Sequence, residues 1–133
     1  MLDTNVLLSG FLSPFGSPGR IVDWLRQRAI QLILDDRITC EYFEVLKRLE
    51  FGFPGEEVDY VLNFILLFAR WIDVPPDLIF NNLPDPDDAP FAEYASWAQC
   101  PLVTGNKRHY PTTLTKGIVI LSPSEFVQSL SSD

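Results

Sequence analysis

The sequence predicts an α/β fold, a three-layer α/β/α sandwich around a central, mainly parallel sheet, in a single domain over residues 1–133. Short apolar runs alternate with longer helical patterns along the chain. Strands separated in this way by helices form parallel sheets that are covered on both faces. A length of 133 residues with 47% hydrophobic residues also suffices for one ordinary globular core.

The first half of the chain predicts two strands and three helices. The sequence L-D-T-N-V-L-L at residues 2–8 predicts a strand that breaks into a loop, and residues 31–34 predict a short buried strand. A Ser-Pro pair opens a helix over residues 17–29, because serine caps a helix and proline is tolerated in its first turn. Two aspartates can cap the next helix, residues 38–49. The helix over residues 56–71 has two glutamates in its first turn, where the helix dipole favours them.

The second half begins with a strand at residues 72–74, which two prolines stop. A turn-forming segment then leads into a helix over residues 89–98. Apolar runs at residues 101–104 and 117–121 predict the last two strands. The sequence S-P-S-E at residues 122–125 starts a short final helix.

Oxygen-bearing side chains occur in four separate segments that follow strands or precede helices. They are Asp3 with Thr4 and Asn5, then Glu41, then the loop acids Asp85, Asp87 and Asp88, and finally Asn106. Ligand sites in such sheets lie at the carboxyl ends of the strands, so these segments can meet at one edge. Clustered carboxylates repel one another, and Mg²⁺ or Mn²⁺ relieves that repulsion. A metal-bound water can then attack a phosphodiester, although each segment alone is also ordinary turn, cap or surface chemistry.

Five motifs carry a family resemblance across nearly the whole chain. They are L-D-T-N-V-L-L-S-G at 2–10, E-Y-F-E-V-L-K-R at 41–48, D-P-D-D-A-P-F at 85–91, L-V-T-G-N-K-R-H-Y at 102–110 and I-V-I-L-S-P-S-E-F at 118–126. In this order they resemble PIN-domain ribonucleases, of the kind found as toxin components of bacterial and archaeal toxin–antitoxin pairs.

The resemblance implies a Mg²⁺- or Mn²⁺-dependent endoribonuclease that cleaves RNA, with an antitoxin protein as partner. By position, Asp3, Glu41 and Asp88 fall on the acidic residues that hold the metal in the family. Glu44 is the rival to Glu41 and ranks second, because it lies one turn further along the helix.

The chain departs from the family at the fourth acidic position, which is Asn106 here. Asparagine keeps a carbonyl oxygen but removes one negative charge, so we expect weaker cation binding, with Asp85 or Asp87 as substitutes. The alternative function is therefore a catalytically weak or inactive module that binds RNA or a protein partner. A phosphohydrolase with an aspartyl nucleophile is disfavoured, because it requires a second aspartate where this chain has Asn5.

A second departure concerns the start of the chain, where only Met1 and Leu2 precede Asp3. Two residues leave little of a first strand to pair within the sheet. Either residues after Asp3 complete the strand, or the true start of the protein lies upstream.

Several neighbouring residues have supporting roles under this hypothesis. Lys107, Arg108 and His109 are expected beside the metal cleft, where they suit contact with RNA phosphates; the alternative is an exposed basic loop. Thr104 is either a hydrogen-bond donor to a metal-binding carboxylate or only the end of a strand. Asn5 completes the supporting set.

Composition limits the partners. The net charge of −8 argues against a broad basic surface for nucleic acid. Since five of the 18 acidic residues are assigned to one cleft, the remaining surface is nearly balanced, and RNA affinity should be modest. Cys40 and Cys100 are too few for a disulfide framework, which favours reduced thiols in the cytoplasm. Residues 58–72 are too short and polar for a membrane span of about 20 residues.

The helix over residues 56–71 is apolar on more than one face. Such a helix is either buried inside the domain or covered by a partner, here a second copy in a homodimer or an antitoxin helix. Cys40 and Trp97 are interpreted as packing residues.

Overall fold

The structure is a computed structural model that describes residues 1–72, 83–84, 89–111, 115 and 117–131. The described α-helices are α1 (Thr4–Leu12), α2 (Ser17–Arg26), α3 (Asp36–Leu46), α4 (Gly55–Leu66), α5 (Ala89–Ala98) and α6 (Pro123–Ser131). The described strands are β1 (Ile33–Leu34), β2 (Arg70–Trp71), β3 (Leu102–Val103) and β4 (Ile120–Leu121). Among the described residues, 3₁₀ turns cover Leu49–Phe51 and Lys107–His109.

All the described strand pairs are parallel. Strand β1 pairs with β2, and β3 pairs with β4 with Leu102 opposite Ile120. Leu2 extends the second pair through a single parallel bridge to Val103. Helices separate the paired strands along the chain, so the predicted α/β class is confirmed, with strands of only two residues each.

The predicted strand at residues 2–8 is wrong, because the chain becomes helical at Thr4. Extended backbone ends at Asp3, whose N–H donates to the Val103 carbonyl at 2.9 Å. After it, Val6, Leu7 and Gly10 are buried, which is the spacing of a helix face rather than of a strand. The residues after Asp3 therefore do not complete a first strand.

The predicted helix over residues 56–71 is too long, because α4 ends at Leu66 and Arg70–Trp71 forms β2. Hydrogen bonds to β1 define this strand: the Arg70 N–H donates to Leu32 and the Ile72 N–H to Leu34. The strand expected at residues 72–74 is thus displaced toward the N-terminus, and its residues 73–74 lie outside the described residues. The predicted bounds of α5 agree with the structure.

Helix α4 buries one face and exposes another. Val58, Leu62 and Ile65 lie in the core, whereas Leu67, directly after the helix, is 80% exposed. Tyr60 and Phe64 are exposed along the same outer side. Burial inside the domain therefore explains one apolar face of this helix and leaves the other exposed.

Two expected packing residues are not in the core. Cys40 is exposed, and Trp97 is 51% exposed on the outer side of α5, whose buried side chains include Phe91 and Ala95. Their apolar character was a poor guide because both lie on helix faces turned away from the sheet. No helix in the described part of the chain is long and apolar enough to cross a membrane.

We predict that Gly10→Ala destabilises the fold, because α1 and α2 touch at this glycine. A methyl group there would lie 2.5 Å from Cγ2 of Val22 and 2.7 Å from the carbonyl oxygen of Pro18. Overpacking of this kind costs about 1–3 kcal/mol of unfolding free energy, measured by urea denaturation. Gly55→Ala is the control, since nothing lies within 4 Å of the added methyl. Equal unfolding midpoints for the two variants would contradict the prediction.

Candidate active site

Asp3 lies at the junction of the first extended residues and α1. The carboxyl end of β3 is beside it, because Val103 forms backbone hydrogen bonds with both Met1 and Asp3. The side chain is buried, with only 4% of its residue surface exposed. The site is thus built around a carboxylate that the sheet holds in place.

Three side chains donate hydrogen bonds to the same oxygen, Oδ2 of Asp3. They are the Thr104 hydroxyl at 2.8 Å, the Tyr110 hydroxyl at 3.2 Å and the Asn5 amide at 3.5 Å. Because all three meet Oδ2, none of them occupies Oδ1. The hydrogen bond expected of Thr104 is present.

Burial raises the pKa of Asp3 above its ordinary value of 3.8. Hydrogen bonds from Thr104, Tyr110 and the Thr4 backbone lower the pKa, as does nearby His109, but they do not offset burial. The ionised carboxylate is therefore held at a cost to stability. A divalent cation is the kind of partner that relieves such a cost.

Glu41 is connected to the same place through Thr4. It is half-buried on α3 and accepts a hydrogen bond from the Thr4 hydroxyl. Since Thr4 follows Asp3 directly, the two acids belong to one hydrogen-bonded group. Glu44, the rival acid, is exposed and lies 3.7 Å from Arg48 in a surface ion pair. This geometry favours Glu41 over Glu44.

The D-T-N and T-G-N segments are joined to each other. Asn5 Oδ1 accepts a hydrogen bond from the Gly105 N–H at 3.2 Å. The Asn106 N–H donates to the Thr104 hydroxyl oxygen at 3.1 Å, while residue 106 itself is exposed. Asn106 therefore contributes to this group through its backbone.

The loop acids Asp85, Asp87 and Asp88 lie outside the described residues. Helix α5 begins at Ala89, immediately after Asp88. Within the described ranges, no group of three or more His, Cys, Asp or Glu side chains could hold a metal ion. Asp3 and Glu41 supply hard carboxylate oxygens, and magnesium commonly needs only one or two carboxylates because it retains several waters. The donor chemistry therefore fits Mg²⁺ or Mn²⁺.

The basic residues have different surroundings. Lys107 is bound to α6 through its Nζ, 2.8 Å from Glu125 Oε1, and this hydrogen bond helps to lower the pKa of Glu125 to about 2. Arg108 is exposed, whereas His109 is half-buried and close enough to Asp3 to influence its pKa. The ion pair with Glu125 therefore involves Lys107 and neither Arg108 nor His109.

Sequence reasoning missed two buried polar residues. Tyr110 contacts Asp3 from 107 positions away in the chain, and its only signal was an aromatic residue directly after a polar loop. Glu93 is buried on α5 beside apolar Ala92, and burial raises its pKa, with Arg37 lowering it and Asp35 raising it further. An acid between buried positions of a helix was the available signal for Glu93.

A buried acid at the end of a parallel strand, with a second acid hydrogen-bonded to its neighbour, is an arrangement suited to hydrolytic enzymes of the α/β class. The family model of the PIN domain matches residues 1–108, and the chain belongs to this family. PIN domains are generally nucleases. The family predicted from the five motifs is therefore confirmed.

A protein of Methanocaldococcus jannaschii, described as "Uncharacterized protein MJ1680", is 28% identical over 109 residues. The aligned region covers 80% of this chain and 70% of that protein. No solved structure matches the chain.

We predict that Asp3→Asn stabilises the metal-free protein at pH 7. Because burial raises the pKa of Asp3, the charged form is disfavoured in the folded state. Removing the charge should raise the unfolding free energy by on the order of 1 kcal/mol, measured by urea denaturation with chelator. The gain should shrink as the pH falls toward the ordinary value of 3.8, where the unfolded chain also becomes protonated.

Asp23→Asn is the control for this measurement, since Asp23 is exposed on α2 and should change stability little. A loss of stability in metal-free Asp3→Asn would contradict the prediction.

Proposed function

We propose that the protein is a metal-dependent endoribonuclease that hydrolyses RNA phosphodiester bonds. The observation that supports this most is the buried Asp3 carboxylate, whose Oδ2 accepts three hydrogen bonds in a chain of the PIN family. A buried carboxylate that lowers stability, in a family that is generally nucleolytic, is most simply explained by a catalytic role.

Asp3, Glu41 and Asp88 would hold Mg²⁺ or Mn²⁺, with Asn106 and either Asp85 or Asp87 assisting. The cation, when bound, supplies an activated water and neutralises charge that develops on the phosphate. Thr104 and Asn5 would orient the Asp3 carboxylate through the hydrogen bonds already described.

The basic residues would contact the RNA backbone. Arg108 is exposed, and His109 lies near Asp3, so both suit a phosphate beside the metal. Lys107 would first have to leave Glu125, because the two are in an ion pair at 2.8 Å. With a net charge of −8, RNA affinity would depend mainly on the metal.

We further propose that the nuclease is the toxin of a toxin–antitoxin pair acting in the cytoplasm. This proposal is supported by the resemblance of the five motifs to PIN-domain toxins. The second candidate function is a catalytically weak or inactive module that binds RNA or a protein. It is favoured by one observation, the neutral Asn106 at a position that is acidic in the family.

We predict that RNA cleavage requires Mg²⁺ or Mn²⁺ and is lost in chelator. Asp3→Asn and Glu41→Gln should each reduce the cleavage rate by at least about 100-fold, because each replaces a negatively charged metal ligand by a neutral amide. Glu44→Gln is the matched control, because it removes an acid of the same helix that is exposed and paired with Arg48. The measurement is cleavage of a labelled single-stranded RNA by purified protein.

Chelator-resistant cleavage, or an active Asp3→Asn protein, would refute the enzymatic proposal. Calorimetry with Mn²⁺ separates the second candidate, which predicts no binding at physiological concentrations. If Asn106→Asp creates cleavage that the natural chain lacks, the protein is a decayed enzyme rather than an active one.

We propose a second copy of this chain as the partner of the outer face of α4, formed by Tyr60 and Phe64 together with Leu67 directly after the helix. These residues follow a four-three spacing, which aligns them on one side of a helix. Acidic Glu56 and Glu57 lie at its start. In an antiparallel two-fold pairing, these two glutamates would meet Arg28 of the second copy, which lies near the C-terminal end of that copy's α4.

The guanidinium of Arg28 lies 5.3 Å from the ring centre of Phe64 and 5.6 Å from that of Phe68. The face thus has Glu56 and Glu57 at its start, with Arg26 lining the groove beside them, and Arg28 near its far end, where it can meet the acids of a second copy. An antitoxin helix is the competing occupant.

We predict that the protein is a dimer in sedimentation equilibrium and that Leu67→Glu converts it to a monomer. A charge buried within an apolar contact is unfavourable, so the dissociation constant of the dimer should rise by at least about 10-fold. Phe15→Glu is the control, because Phe15 is 97% exposed and lies outside this face. A monomeric natural chain, or a dimer that survives Leu67→Glu, would contradict the proposal and leave the face to an antitoxin.

A further inference from the structure

Tyr110 and Asp3 form a buried contact that joins distant parts of the chain. The tyrosine is almost completely buried, and its hydroxyl donates to Asp3 Oδ2 at 3.2 Å. Hydrogen bonds to an ionised acceptor are stronger than those between neutral groups. The hydroxyl of Tyr110 therefore contributes to the Asp3 site beyond the packing of its ring in the core.

The hydroxyls of Tyr110 and Thr104 converge on one carboxylate oxygen. Thr104 donates at 2.8 Å, so Oδ2 accepts from two buried hydroxyls at once. Rotation of the carboxylate would break both bonds, which holds the plane of the group and hence the position of Oδ1. We infer that Tyr110 is a positioning residue that orients the Asp3 carboxylate for the cation; this inference depends on the proposed metal-dependent function.

The segment that follows the family match places Tyr110. The family model ends at residue 108, and Tyr110 closes the 3₁₀ turn Lys107–His109 by donating its N–H to the Lys107 carbonyl at 3.0 Å. The Thr115 hydroxyl then donates to Pro111 at 3.0 Å and reaches the Tyr110 carbonyl at 3.5 Å. Hydrogen bonds from its N–H and to its carbonyl therefore hold the backbone of Tyr110 on both sides.

Helix α6 supports the same turn. Glu125 accepts from Lys107 and from the Ser122 N–H, both at 2.8 Å, and the Ser122 hydroxyl accepts from the Glu125 N–H at 3.1 Å. The last two bonds form a capping box at the start of α6. Contacts from the C-terminal part of the chain thus extend through Lys107 and Tyr110 to Asp3.

A purely structural role for Tyr110 makes a different prediction, and Tyr42 provides the matched control. Tyr42 is also fully buried, and its hydroxyl donates to the backbone carbonyl of Leu2 at 2.5 Å. Replacement by phenylalanine removes one buried hydroxyl in either case. Only in Tyr110→Phe does the carboxylate lose a donor.

The test compares Tyr110→Phe with Tyr42→Phe in the full chain, with Mn²⁺ affinity measured by calorimetry and cleavage by steady-state kinetics. Both variants should unfold at lower urea concentration than the natural chain. Tyr110→Phe should weaken Mn²⁺ binding by about 10-fold or more and lower kcat with little change in KM, as expected for a residue that supports a metal ligand. Tyr42→Phe should keep Mn²⁺ affinity within about twofold.

Equal Mn²⁺ affinities in Tyr110→Phe and the natural chain would overturn the inference while leaving the proposed function intact. A natural chain that binds no Mn²⁺ would overturn both. If Tyr110→Phe does not fold, the inference is tested on the natural chain by proton NMR, before and after Mg²⁺ is added. The buried hydroxyl proton of Tyr110 should shift when Mg²⁺ is added, and an unshifted Tyr110 proton would overturn the inference.

Discussion

The buried carboxylate of Asp3 is the group on which the rest of the site depends. Its backbone pairs with Val103, and its side chain accepts from Thr104, the next residue of the same segment. One end of β3 therefore fixes both the main chain and the side chain of Asp3. Because α1 begins directly afterwards, the same contacts also set the start of the first helix.

The surroundings of Asp3 combine an apolar core with a few hydroxyl donors. Asp3 is itself only 4% exposed, and this burial removes water from the acid. The donors recover only part of the lost hydration, since the pKa of Asp3 remains raised. A carboxylate whose ionised form is disfavoured by burial is more typical of a functional site than of a stabilising one.

The parts of the site that the sequence could predict are those encoded by local chemistry. The motif around Asp3 and the threonine at the end of β3 were both identified from residue type and position, and the structure joins them at 2.8 Å. The first strand was mispredicted because the short apolar stretch at residues 6–8 fits a strand as well as one turn of a helix. Tyr110 was missed because its contact depends on a fold that brings together residues 107 positions apart.

Under the proposed function, the side chain of Asn106 affects how strongly the site binds its cation. The backbone of residue 106 supports the orientation of Asp3 whatever its side chain. The N–H of residue 106 donates to the Thr104 hydroxyl oxygen, and that hydroxyl donates to Asp3 Oδ2. This chain of hydrogen bonds uses no atom of the residue 106 side chain, so it is the same for asparagine and for aspartate. If residue 106 holds an acidic position of the family, as the motif resemblance implies, asparagine there removes one negative charge and leaves this chain of hydrogen bonds in place. It should lower cation affinity more than it lowers the rate of the metal-loaded enzyme.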